Sequence, residues 1–277
     1  MTDFDPPLSW AELVVVTLSR ELRDGEIGSP GGARSEVPLA AARLAQLTHA
    51  PNLSIITSAV GFVANVNGKP PSKLRHSTMD YRNIYAGCEA VVDFMSVFRT
   101  PRDWFFSGGL QVDAFGNLNL TAIGDAKAPK LRGPGAAGLA YAGSIARRSF
   151  IYLQQHSRRS FVDKLDHMTA MGYGTGPGDR EALGLTGGGP ALAVSPMAIM
   201  DFCEDTKRMR LRSVHPGHSV DEVLANTGAK IIVPDHVPET ELPTARELEI
   251  LRTQVDSEGI LRNLKSARTE EVKHATA

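Results

Sequence analysis

Three segments near the start of the chain limit its fold more than any other feature. In WAELVVVTLSREL, residues Trp10, Leu13, Val14, Thr17, Leu18 and Leu22 recur at helical spacing, and Gly25 follows as a stop. A glycine-rich passage, GSPGGARSE, leads into VPLAAARLAQLTHA, an Ala-rich second helix, and NLSIITSAVG then carries the short apolar run of a buried strand. Downstream, CEAVVDF, SFIYLQQ and PALAVSP read as further strands, and AIMDFCEDTKRMRLRSV as a hairpin turning at 205–207. MSVFRTPRDWFFS reads as a short helical segment broken near Pro101. SVDEVLANTG reads as a helix closed by Gly228, and TARELEILRTQVD as a late charged helix. Helices alternating with apolar strands predict an α/β fold, an open, mostly parallel sheet flanked by helices.

Residues 107–125, SGGLQVDAFGNLNLTAIGD, alternate apolar and polar side chains around Gly116 and Asn117, the signature of two paired strands and a turn. With 277 residues, no internal repeat and no long linker, the chain is expected to form a single domain, 1–277, with a solvated tail over about 262–277.

Charge excludes several partners. Lys and Arg number 30 against 31 Asp and Glu, so there is no basic field to attract nucleic acid or an anionic membrane. Cys88 and Cys203 stand alone, without metal-ligand spacing, and MTDFDPPLSW lacks a leader pattern, so a reduced, cytoplasmic protein is expected. No apolar run approaches the ~20 residues of a membrane span.

Single motifs are weak. Gly133, Gly135 and Gly138 satisfy G-x-G-x-x-G, but DAKAPKLR before them is no buried strand, and the next strand ends in Gln154, Gln155 and His156 rather than an acid. A tight turn where backbone passes close to something, a substrate included, is the reading adopted. The NTPase phosphate loop and the G-x-S-x-G elbow are both absent from the sequence. His215 and His218 in HPGH lack a third ligand and read as solvated histidines, so no metal is expected. Residues 172–189, GYGTGPGDREALGLTGGG, are either a binding lid or a mobile surface loop. Arg158 and Arg159 read as surface charges. Arg132, directly before the glycine turn, suits a carboxylate or phosphate clamp, or else an ion pair with a residue such as Asp125.

Five blocks in order carry a stronger signal: SGGLQVDAFGNLNLTAIGD, KLRGPGAAG, SFIYLQQHSRRSFVDKLDHMT, GPGDREALGL and DTKRMRLRSVHPGHSVDEVLANTG. Over about residues 13–228 the chain resembles the β subunit of family I CoA-transferases of the glutaconate type. The resemblance implies a CoA-transferase-like α/β fold, a homologous α subunit, an α₂β₂ assembly and active sites at the α–β interface. It implies no resident cofactor, CoA arriving as part of the substrate.

In those transferases a β-chain glutamate attacks the acyl-CoA and carries CoA as a glutamyl thioester. Aligned on Pro38, Leu39, Ala50, Pro51, Ile55 and Ile56, that slot holds Ser58 here. A hydroxyl forms an ester but not the anhydride through which CoA is exchanged, so ordinary transfer through this chain is disfavoured. One branch of the family fits the change. It is the ring-opening hydrolases of steroid and cholesterol degradation, which hydrolyse a carbon–carbon bond in a cyclohexenone carboxyl-CoA, with the working carboxylate expected on the α partner. The resemblance makes Arg132 a candidate for binding a substrate carboxylate or enolate. Ser58 would line the pocket, and Gly133 and Gly135 would bring backbone N–H groups to the substrate. Glu36 and Glu89 are acids on this chain that could stand in for the lost glutamate; for Glu36 the alternative is a favourable charge at a helix start, for Glu89 strand-edge exposure. CoA transfer by another carboxylate, or a non-catalytic role supporting an active α chain, are the remaining readings.

Overall fold

The computed structural model describes residues 4–31, 36–57, 62–64, 102–125, 127–136 and 138–264. The chain divides into two compact units, Met1–Cys88 with Glu241–Ala277, and Glu89–Thr240. No linker composition signals this division, because the first unit is discontinuous in sequence.

In the first unit, helix α1 (Trp10–Arg20) starts at a capping box in which the Ser9 hydroxyl accepts from Glu12 N and the Glu12 carboxylate accepts from Ser9 N. Strand β1 (Ile27–Ser29) pairs in parallel with β2 (Ser54–Thr57), and helix α2 (Glu36–Thr48) joins them as a crossover. Antiparallel β3 (Phe62–Ala64) completes the unit's strands among the described residues. Helices α1 and α2 pack together, and Val14, Leu18, Ala41 and Leu44 on them are buried. The returning residues from 241 onward close this core. The helix Ala245–Ile250, capped by Thr244 and Glu247, buries Leu248 and Ile250, and Leu251 follows them into the core. Arg20 binds both oxygens of Glu247 at 2.8 Å, and Arg252 binds Glu12 Oε1 at 2.8 Å. At the C-terminal end of the described residues, Leu261 is fully buried, and the Leu264 carbonyl accepts from Trp10 Nε1 at 3.2 Å; most of the expected tail lies outside the described residues.

The second unit opens with β4 (Trp104–Ser107), followed by two small hairpins, β5 (Gln111–Val112) with β6 (Leu118–Asn119) and β7 (Ala122–Gly124) with β8 (Pro129–Arg132). Then come α3 (Leu139–Ile145), β9 (Arg148–Tyr152), the one-turn helix α4 (Asp179–Ala182), β10 (Pro190–Val194), β11 (Ala198–Phe202), β12 (Met209–Val214) and α5 (Val220–Ala225). The strand order is β12-β11-β10-β9-β4. Strands β4, β9 and β10 run parallel, while β10, β11 and β12 form an antiparallel meander. The expected α/β class, with parallel strands central and helices flanking, is the one observed.

Residues 102–107 differ from expectation. WFFS is strand β4 rather than the end of a helix, because Trp104 to Ser107 pair with Arg148 to Ile151 and all four side chains are buried. Trp104 and Phe106 lie two apart on one face with ring centroids 5.7 Å apart, and Phe106 meets Phe150 at 5.1 Å. The strand expected in CEAVVDF lies outside the described residues. Gly228 also has a different role. It does not take a left-handed cap; a side chain there would press on the Phe161 carbonyl, which accepts the Gly228 N–H at 2.7 Å. Among the described residues, no helix is long and apolar enough to cross a membrane.

Candidate functional site

The first hairpin is set by short-range chemistry. Asp113 Oδ1 accepts from the N–H groups of Phe115 (2.9 Å) and Asn117 (3.0 Å), bending the chain into a turn with Gly116 at φ +70°. Any side chain at Gly116 would strike Pro190 and the Phe202 ring. Burial raises the Asp113 carboxyl against the lowering effect of its bonds from Asn117 and Phe115. Asp113 is thereby consumed by the turn. Asn117, 1% exposed, is the knot between this hairpin and residues 172–174: Nδ2 donates to Asp113 Oδ2 (2.8 Å) and Gly174 O (2.7 Å), and Oδ1 accepts from Gly172 N (2.8 Å) and Gly174 N (3.0 Å).

The second hairpin delivers Arg132. Strands β7 and β8 pair Ala122 with Arg132 and Ile123 with Leu131, and Lys130, Leu131 and Arg132 are exposed. The loop between the strands is closed by Asp125, whose side chain accepts from Lys127 N at 2.7 Å. Among the described residues Arg132 makes no ion pair, with Asp125 or any other carboxylate, so its guanidinium stands in solvent at the mouth of the glycine turn. After it the backbone is clasped to the β6–β7 connection: Gly133 N donates to Thr121 O (2.8 Å) and Gly135 N to Leu120 O (3.0 Å). A Cβ on Gly133 would overlap Leu120 O, so only glycine permits this approach, while Gly135 sits at φ +81° with open space around it. Both N–H groups are therefore spent within the protein, and the turn presents room and close backbone rather than free donors.

Residues 172–189, read as a binding lid or a mobile surface loop, are anchored at several points. Besides Asn117, they are held by buried Arg180, whose guanidinium donates to Gly172 O (2.9 Å), Gly187 O (2.9 Å) and Ser144 O (3.2 Å). Tyr173 Oη donates to Pro190 O at 2.8 Å, and Gly187 and Gly188 press so closely on Ala146 and Arg147 carbonyls that no side chain fits. The block GDREALGL carried this signal in its arginine, but its carbonyl partners are remote in sequence.

The histidines form a neutral network. His215 is buried, not solvated as its sequence suggested; Nε2 donates to Ser195 O (2.9 Å), and Nδ1 accepts from the Thr240 hydroxyl (2.9 Å), which in turn accepts from Ser213 (2.8 Å). His156 stacks on Phe161 at 4.3 Å and bridges Ser195 Oγ (2.7 Å) and Thr227 Oγ1 (2.9 Å). Burial pushes both imidazoles down to about 4. His218 instead pairs with Glu222 at 3.0 Å. Among the described residues, no group of three or more His, Cys, Asp or Glu side chains could hold a metal ion.

Of the residues singled out in the sequence, Arg132, Gly133 and Gly135 therefore come together on one edge of the second unit. Ser58 and Glu89 lie outside the described residues. Glu36 is the first residue of α2, the helix-start position weighed for it. Arg180 and the link that Asn117 makes to residues 172–174 were missed because neither residue belongs to a catalytic motif.

The coenzyme A transferase family model matches residues 12–226. The chain is 36% identical over 246 residues to one of the subunits of the 3-oxoadipate CoA-transferase of Pseudomonas knackmussii, covering 87% of this chain and 91% of that one. It is 34% identical over 256 residues to the corresponding subunit of the glutaconate CoA-transferase of Acidaminococcus fermentans, covering 88% and 91%. The crystal structure of that organism's glutaconate CoA-transferase superposes with a TM-score of 0.77 at 31% identity, covering 92% of this chain and 97% of the matched chain. The cholesterol ring-cleaving hydrolase IpdB subunit of Mycobacterium tuberculosis is 28% identical over 270 residues, covering 95% and 98%. The IpdAB structure of Rhodococcus jostii RHA1, at 23% identity and a TM-score of 0.77 over 94% and 99%, agrees in fold. The chain belongs to the coenzyme A transferase family.

Proposed function

We propose that this chain is the β subunit of a heteromeric enzyme that opens a ring in a cyclic β-keto acyl-CoA by hydrolysing a carbon–carbon bond, in steroid or cholesterol catabolism. One feature carries the reading: by the resemblance, Ser58 would fill the slot in which the transferases hold their CoA-carrying glutamate. Support comes from the similarity to the IpdB subunit across 95% of the chain. The subunit names of the relatives support an α partner, which would bring the working carboxylate.

The chemistry needs no carrier. Water adds to the ring ketone; the bond from that carbon to the carbon α to the thioester breaks, and its electron pair becomes the thioester enolate. Protonation there leaves a carboxylic acid at one end of an open-chain acyl-CoA. A base on the α subunit would take the water proton. Arg132, cationic and without a competing carboxylate among the described residues, would bind a substrate carboxylate or the enolate oxygen. Gly133 and Gly135 would let the thioester pass close to the backbone, and Ser58 would line the pocket. CoA is then substrate, and no resident cofactor is required by this route.

Co-expressing the chain with its α partner and supplying 2-oxocyclohexane-1-carboxyl-CoA tests the reading. Ring opening to heptanedioyl-CoA is expected. CoA movement to a carboxylate acceptor such as succinate, with the cyclic substrate untouched, would overturn it. A second reading, CoA transfer, is favoured by the 36% and 34% identities to transferase chains. Borohydride reduction after acyl-CoA treatment separates the two, since a trapped glutamyl adduct on either chain belongs only to transfer.

A further inference from the structure

We propose that Arg180 is a positioning residue that holds the turn at Gly133 and Gly135, and Arg132 beside it, in the geometry that receives the acyl-CoA. It acts through helix α3 and does not itself touch substrate. The inference rests on the proposed role of Arg132 and adds what holds that residue's surroundings in place.

Helix α3 cannot hold itself. It has seven residues, LAYAGSI, with a glycine and a serine in its last turn, well short of the ~12–15 that make an isolated helix even marginally stable. Only Leu139 and Ala142 within it are buried, and Tyr141 is 45% exposed. Its N-terminal end continues the glycine turn, because Leu139 N donates to Ala136 O at 2.6 Å. Carbonyls of its last turn lie beyond the helix's own hydrogen bonds, as at any helix end. Ser144 O accepts from Gly187 N at 2.8 Å, and Arg180 adds a second set of donors there. Nη2 donates to Ser144 O at 3.2 Å and reaches Gly143 O at 3.5 Å, while the same guanidinium binds Gly187 O and Gly172 O. A cation at a helix C-terminus also meets the negative end of the helix dipole.

Arg180 is 4% exposed, and among the described residues no carboxylate forms an ion pair with it, so this costly buried cation is compensated by the carbonyl dipoles it gathers, with electrostatic support from Tyr173 and Glu181. Lysine could satisfy one of these clusters but not bridge them, because the planar fork spans several acceptors at once. The glycine turn is thus pinned twice: at its start by Thr121 and Leu120 carbonyls, and beyond it by α3, whose far end Arg180 fastens to residues 172–187.

The test uses the assembled complex carrying Arg180→Ala or Arg180→Lys, with Arg132→Ala as reference and 2-oxocyclohexane-1-carboxyl-CoA as probe. Hydrogen exchange of peptides spanning 133–145 is measured without substrate, beside KM and kcat. Exchange there is expected to rise about tenfold or more in Arg180→Ala, consistent with the loss of charged hydrogen bonds. KM should rise in parallel, and Arg180→Lys should lie between wild type and alanine in both. Unchanged exchange over 133–145 overturns the proposal, as do kinetic constants that match wild type once corrected for folded fraction. If Arg180→Ala does not fold, Arg180→Lys decides by the same two readouts. Failure of the Arg132 reading shows separately, as a complex that turns over the probe normally with Arg132→Ala while the exchange effect of Arg180→Ala persists.

Discussion

Replacing Asn117 by Ala should destabilise the second unit by about 3–5 kcal/mol. The side chain makes four hydrogen bonds of 2.7–3.0 Å, to Asp113 Oδ2, Gly174 O, Gly172 N and Gly174 N, in a site where it is 1% exposed. Alanine orphans two N–H groups, one carbonyl and one carboxylate oxygen, and each such group costs about 1–3 kcal/mol when buried without a partner. The sum is reduced because residues 172–174 can shift and admit water. Losses of this size are a large part of the ~5–15 kcal/mol that holds a domain together. The assay is urea unfolding in a Trp10→Phe background, where fully buried Trp104 reports the second unit alone. With a slope near 2 kcal/mol/M, the midpoint should fall by about 1.5–2.5 M. Asn117→Asp sharpens the test. It keeps the acceptor for both glycine N–H groups but sets a carboxylate oxygen against Asp113 and Gly174 O. It should therefore be as damaging at neutral pH, and partly recover on acidification as one carboxyl protonates. A midpoint shift below about 0.5 M for alanine would refute the view that this side chain knots the hairpin to residues 172–174.

Three further outcomes are expected. His215 titrates at about 4 when folded because burial disfavours its charged form, against about 6.5 unfolded. The unfolded chain therefore binds the extra proton first, and stability falls as pH drops below 6.5, by about 2 kcal/mol at pH 5 from this residue. His156 acts in the same direction, and urea midpoints at pH 7.5 and 5 measure the loss, which His215→Asn should reduce. Arg252→Ala leaves the Glu12 carboxylate, 1% exposed, without its cation, and should cost about 3 kcal/mol or more in thermal unfolding of the first unit. Arg132→Ala should leave the melting temperature unchanged, since the residue is exposed and unpaired among the described residues. In the assembled complex it should lower kcat/KM by about 1–3 kcal/mol in free-energy terms, checked by steady-state kinetics on the cyclic β-keto thioester.

Whatever rests on neighbours in the chain was legible in the residues. The helical period of WAELVVVTLSREL, the Ala-rich helix, the strands SFIY and PALAV, and the turn at Gly116 and Asn117 all follow from side-chain period and local turn chemistry. So did the family, because five blocks in fixed order leave few other readings, and the match to the coenzyme A transferase family agrees with them.

Tertiary structure decided the rest, wherever a residue's partner is distant in sequence. Trp104 became a strand residue by pairing with Arg148, against a local pattern that read as helix. Glycines 172–189 looked mobile because glycine has the largest conformational entropy to lose, and they are fastened by Asn117 and by the carbonyls that Arg180 gathers. His215 looked solvated beside Pro216 and Gly217, and is buried by bonds to Ser195 and Thr240, 20 and 25 residues away. A hydrogen bond acts over about 3 Å, so which side chains are spent on structure and which remain available, Arg132 among them, is determined only when packing brings the distant partners together.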